Sequence, residues 1–92
     1  MMMTKQTKVI VEGITRTPEF IMINWKRFNS NKAWIGKFSE RYDLIKSYST
    51  IVGLVDKEER VFYELGKWSQ TTTRQINKIH KDIYTYYDFV KA

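Results

Sequence analysis

Apolar positions fall in short clusters through the first two thirds of the chain and in a helical stripe through the last third. Residues 8–14 (K-V-I-V-E-G-I) concentrate β-branched side chains and predict a first strand. Thr15-Arg16-Thr17-Pro18 breaks it, because proline has no amide hydrogen for a strand ladder. Residues 20–28 (F-I-M-I-N-W-K-R-F) predict a second strand, with Ile21, Ile23 and Trp25 on one face and Phe20 and Met22 on the other. Apolar side chains on both faces suit a strand covered from two sides. Asn29-Ser30-Asn31 reads as a turn, since short polar side chains bond to their own backbone there. Residues 32–38 predict a third strand with Trp34, Gly36 and Phe38 on one side, and residues 39–43 a connector with room for one helical turn. Residues 48–55 predict a strand, 56–59 a polar reversal, and 60–65 the returning partner, which Gly66 ends.

From there the spacing changes. Ile76, Ile79, Ile83, Tyr87 and Val90 recur at three or four residues, the stripe of one helix face, while Arg74, Lys78 and Lys81 fall on another side. Thr72 and Gln75 have capping-box spacing, so the helix is expected to begin near Thr72, with Ser69 as a competing cap. Tyr84, Tyr86, Tyr87 and Phe89 cannot all join one stripe. Either Tyr86 and Phe89 face outward as a protein-contact surface, or the helix ends near Tyr84 and the tail folds back on the sheet. The expected fold class is α+β: an antiparallel sheet of about five strands with a C-terminal helix packed on one face.

Composition narrows the function. The 92 residues make a single domain, 1–92, with residues 1–5 expected to fray. At 42% hydrophobic and 15% aromatic residues the chain can build a core rather than remain disordered. It has no cysteine, which rules out disulfides and thiolate metal sites and fits the cytoplasm. No run approaches the roughly 20 apolar residues of a membrane span, and the start lacks the apolar core of a signal peptide.

Catalysis finds little support. One histidine and no cysteine leave His80 alone for any nucleophile–base pair, and its place beside the apolar stripe suits packing. A zinc site would need more nitrogen and sulfur ligands than exist here, so neither metal nor cofactor is expected. Glu58 and Glu59 lie in a turn open to water, while Glu12 and Glu64 fall inside strands, where pairing with a neighbouring cation is the simplest account. The four glycines are isolated, so no phosphate loop forms.

Charge is more informative. Sixteen Lys and Arg against ten Asp and Glu give +6, a field that attracts polyanions. Lys26 and Arg27 follow Trp25, Lys32 and Lys37 flank Trp34, Lys67 precedes Trp68, and Arg74, Lys78 and Lys81 line the helix. Cations beside aromatic rings suit single strands, with phosphates on the first and bases on the second, whereas a helix with a basic face could instead cross a duplex groove, and the tryptophans are also core candidates. The expected nucleic-acid contacts are therefore Arg74, Lys78, Lys81, Lys67, Lys26 and Arg27, and the expected protein contacts Tyr86 and Phe89. Open edges of so small a sheet also invite a homodimer.

One stretch has a recognisable pattern. Ser47-Tyr48-Ser49-Thr50, the apolar run from Ile51 to Asp56, the return from Val61 to Leu65, Trp68-Ser69-Gln70-Thr71-Thr72 and Asn77-Lys78 follow one another in order. This resembles a class of small proteins of unknown function from phages and other mobile elements of Gram-positive bacteria. That class often carries a histidine near the Asn-Lys pair; here the position is Gln75 or Ile76. The resemblance covers about a third of the chain and implies a hairpin followed by a capped helix. It implies a phage-encoded protein working in the host cytoplasm, and no chemistry. Two expectations follow: a non-enzymatic module that contacts nucleic acid or a nucleoprotein complex through the basic helix face, or an anti-CRISPR-like inhibitor that docks on a host protein.

Overall fold

A six-stranded sheet forms the middle layer of the fold, with one long helix on each side. The computed structural model describes residues 3–29 and 32–91. The strands β1 (Lys26–Arg27), β2 (Ala33–Lys37), β3 (Tyr42–Ser47), β4 (Thr50–Asp56), β5 (Val61–Glu64) and β6 (Asp88–Lys91) lie in sequence order. The first five are antiparallel neighbours, and β6 pairs parallel to β5. Helix α3 (Gln70–Ile83) makes that last crossover, as a parallel pair requires. Helices α1 (Met3–Thr15) and α2 (Pro18–Ile21) precede the sheet. The α+β class with a C-terminal helix on one face thus holds, on six strands and with a further helical layer opposite.

Strand alternation divides the core in two. Ile45, Val55 and Phe62 point to one face, where Ile76, Ile79 and Tyr84 of the α3 end of the chain meet them. Their strand neighbours Leu44, Leu54 and Tyr63 point to the other, against Ile14, Ile10 and Val11 of α1 and against Phe20, Ile23 and Trp25. Being covered on both faces is why β4 and β5 read as near-continuous apolar runs rather than alternating ones. At Gly36 on β2 a Cβ would stand 2.5 Å from Ile23 Cγ2 and 2.7 Å from the Trp25 ring. The missing side chain therefore lets the segment after α2 lie directly on the sheet.

Several expectations need correction. Residues 8–14 are helical: Thr7, Ile10, Val11 and Ile14 form an i, i+3, i+4, i+7 stripe toward the sheet, while Val9 and Gly13 face water. Burial of that stripe overrides the strand preference of Val and Ile. Residues 3–5 belong to the same helix, and residues 1 and 2 of the expected frayed start lie outside the described residues. Pro18 starts α2 at its first position, where no amide hydrogen is needed, and the Thr17 hydroxyl accepts from Phe20 N at 3.3 Å. The expected strand over 20–28 shrinks to β1: Phe20 and Ile21 belong to α2, and Ile23 and Trp25 pack onto the sheet as irregular backbone. Phe20 and Trp25 meet edge to face at 6.4 Å. Ser30 and Asn31 of the expected turn lie outside the described residues. The segment 39–43, read as a connector, leads into β3, a strand at the centre of the sheet.

Ser69 caps α3, accepting from Thr72 N at 3.3 Å, so Thr72 does not form a capping box with Gln75. Both of those side chains turn to the sheet instead. Ser47 donates to Gln75 Oε1 at 2.9 Å, and its hydroxyl lies 3.3 Å from that of Thr72, all three buried. The helix stops at Tyr84 and the tail folds back as β6, the second of the two outcomes open for the aromatic cluster. Tyr84 hydroxyl donates to Asp43 Oδ2 at 2.7 Å. Burial, reinforced by that carboxylate, pushes the phenol far above its ordinary pKa. No helix among the described residues is long and apolar enough to cross a membrane.

Candidate nucleic-acid interface

The outer face of α3 is cationic. At 100° per residue, Arg74, Lys78 and Lys81 lie within about 60° of arc, opposite the Ile76 and Ile79 that dock on the sheet. All three are exposed. Lys78 pairs with Asp82 at 3.4 Å, both groups facing water, a contact that contributes little. Among the described residues neither Arg74 nor Lys81 has a carboxylate within ion-pair distance. Thr71, Arg74, Gln75 and Lys78 line a shallow cavity of about 200 Å³ on this face. Its floor is the Gln75 that Ser47 holds, so the end of β3 fixes its shape.

The remaining expected contacts divide. Lys67 lies in the link from β5 to α3, beside Lys91, Trp68 and Thr73 around a second cavity at the start of the helix. Lys26 lies on the edge strand across from Ile35, whose side chain joins the α3-side core, and it shares a cavity with Ile83 at the end of the helix. These two extend the α3 surface at its two ends. Arg27 borders that cavity too, but alternation turns its guanidinium to the opposite face. There its guanidinium lies 5.9 Å over the Trp34 ring, and Lys46 Nζ stands 4.3 Å from Trp25 and 5.4 Å from Trp34. Trp25 belongs to the α1-side core rather than to the basic helix surface.

Tyr86 is 89% exposed in the turn after α3. Phe89 is half-buried: β6 lays it against the core, stacked 5.4 Å from Phe62 and edge-on to His80 at 5.1 Å. His80 is a packing residue of the same cluster, with Nε2 2.6 Å from the Tyr87 carbonyl. Among the described residues no group of three His, Asp or Glu side chains is placed to hold a metal ion. Glu64 is buried, as its strand position suggests, while Glu12 is exposed on α1.

Charges around the β4–β5 turn are taken up in structure. Asp56, at the end of β4, accepts from Arg41 Nε at 3.0 Å and Nη2 at 2.9 Å, and from the backbone amides of Glu58 and Glu59 at 3.1 Å each. Burial pulls its carboxyl upward, but the Arg41 and backbone hydrogen bonds outweigh that and hold it below the ordinary range. Lys57 pairs with Asp43 at 2.8 Å and donates to the Ser39 carbonyl. None of these groups was visible as a set in the sequence, since Arg41 and Asp56 meet across fifteen residues.

Residues 22–89 match the family of unknown function DUF8033. The chain belongs to that family. The matched span takes in the whole meander and α3 and leaves α1 outside. No curated protein and no solved structure matches the chain.

Proposed function

We propose that this DUF8033 member is a non-enzymatic binding module that contacts nucleic acid, alone or within a nucleoprotein complex, through the outer face of α3. The observation that carries the reading is the alignment of Arg74, Lys78 and Lys81 on one exposed surface with a single facing acid, Asp82. Lys67 and Lys26 lengthen that surface at its ends. Backbone phosphates would be the main partners, with each cation displacing condensed counterions. The resemblance of the Tyr48–Lys78 pattern to phage proteins supports a mobile-element setting in the host cytoplasm.

Salt tests the reading. Between about 50 and 200 mM NaCl, a log–log plot of affinity for a labelled oligonucleotide against salt is expected to have a slope of about −2 to −4, for three to five phosphates. A slope near zero contradicts phosphate binding.

Tyr86 favours a second reading, a host-protein inhibitor of the anti-CRISPR kind. With half-exposed Ile83 nearby in sequence, it presents an apolar spot at the far end of α3. A stoichiometric protein partner that survives nuclease and about 0.5 M salt, and that is lost on Tyr86→Ala, supports this reading.

A further inference from the structure

Among the described residues, no side-chain hydrogen bond or ring contact accounts for the conformation of Tyr48. This residue begins the two-residue turn between β3 and β4, with φ +54°, a left-handed backbone that a bulky side chain adopts only under strain. Among the described residues, two other non-glycine residues share the left-handed region. Asn29 is of a type that tolerates it, and Arg60 closes a loop whose carbonyl accepts from Asp88 N. Glycine or asparagine would suit position 48 better. Yet the chain holds a tyrosine there, 58% exposed, with no hydrogen bond to its hydroxyl among the described residues. Strain of this kind is retained where neighbouring structure enforces it, and it gathers at functional sites.

Position 48 adjoins the basic helix. Ser47, the preceding residue, hydrogen-bonds Gln75 and contacts Thr72, fastening the hairpin tip to the first two turns of α3. Gln75 lines the same shallow cavity as Thr71, Arg74 and Lys78. Tyr48 N donates to the Lys32 carbonyl, which brings a further exposed lysine to this corner. The turn that carries the exposed Tyr48 ring is therefore tied, through Ser47, to the helix that bears Arg74 and Lys78. Paired bases cannot offer their faces to a ring, whereas unpaired ones can, at about 1–3 kcal/mol per stacked base.

We infer that Tyr48 is a base-stacking residue and that the α3 surface takes single-stranded rather than duplex nucleic acid. The inference rests on the nucleic-acid reading above and specifies its ligand. Unpaired DNA and unpaired RNA share this chemistry, so both are used as probes.

Fluorescence anisotropy with labelled dT12, labelled rU12 and a 12-base-pair duplex of mixed sequence, on the full chain, tests it. At least one of the two single strands is expected to bind about tenfold or more tightly than the duplex. Tyr48→Ala should weaken that binding about 5- to 100-fold and leave duplex binding within about twofold, while Tyr48→Phe retains affinity because the ring is kept. Tyr48→Asn relieves the left-handed strain, so its melting temperature should rise while its single-strand affinity falls. That opposite movement separates a binding role from a structural one. Equal binding of duplex and single strands, or unchanged dT12 and rU12 binding in Tyr48→Ala, overturns the inference while leaving the phosphate reading intact. Failure of all three probes to bind overturns both.

Discussion

Phe62→Ala is expected to destabilise the protein by about 3–5 kcal/mol, the range for removing a buried aromatic ring and leaving a cavity. Phe62 is fully buried on β5, its ring 5.4 Å from His80, 5.6 Å from Tyr84 and 5.4 Å from Phe89. It is thus the point where the sheet, the end of α3 and the returning strand β6 meet. A domain of this size has about 5–14 kcal/mol in total, so the variant should be only marginally folded at 25 °C. Urea unfolding followed by circular dichroism checks this. A midpoint within about 0.3 M of the parent contradicts the shared-cluster account. Phe62→Leu, which keeps most of the volume, should lose much less.

Asp56→Ala is expected to cost about 2–4 kcal/mol. Four donors lose their acceptor at once: two from Arg41 and the Glu58 and Glu59 amides that close the β4–β5 turn. The cost stays below that of a fully buried pair because the Arg41 side chain is 42% exposed and can be hydrated again. Acid should mimic the substitution. The folded carboxyl is held below its ordinary value. The stability it contributes is therefore complete above the unfolded pKa of about 3.9 and is lost as pH falls below that through the folded value. The urea midpoint of the parent should drop between about pH 4 and pH 2, and that of Asp56→Asn should drop less. Parallel curves for the two proteins contradict the assignment.

How much of this was legible in the sequence depends on where the decisive contact lies. The β4–β5 hairpin and the Ile76–Ile79–Ile83 stripe follow from local periodicity, and both elements are where that periodicity puts them, though Ile83 ends half-exposed. The grouping of Arg74, Lys78 and Lys81 needs only helical geometry and was equally readable. Residues 8–14 misled because a β-branched run satisfies two periods; Thr7, a polar residue at the head of the buried stripe, conceals the helical one. Strand β3 was hidden by Asp43, Lys46 and Ser47, polar residues whose partners are Lys57, Trp25 and Gln75, all distant in sequence. The separation of Arg27 from Lys26 could have been found, since adjacent strand residues face opposite ways once the strand is granted. Tyr48 was read as strand because nothing local marks a tyrosine for a left-handed turn.

The most direct test of the central claim, that the α3 cations form the binding surface, compares two charge-reversed variants by oligonucleotide anisotropy at low salt. One carries Arg74→Glu, Lys78→Glu and Lys81→Glu. The other carries Lys8→Glu, Arg16→Glu and Arg60→Glu, all exposed and outside α3. Each reversal removes two charges, so both variants fall from +6 to neutrality. With both folded, the α3 variant should lose about 100-fold or more in affinity and the other less than about tenfold; equal losses in the two, or no loss in the first, contradict the account.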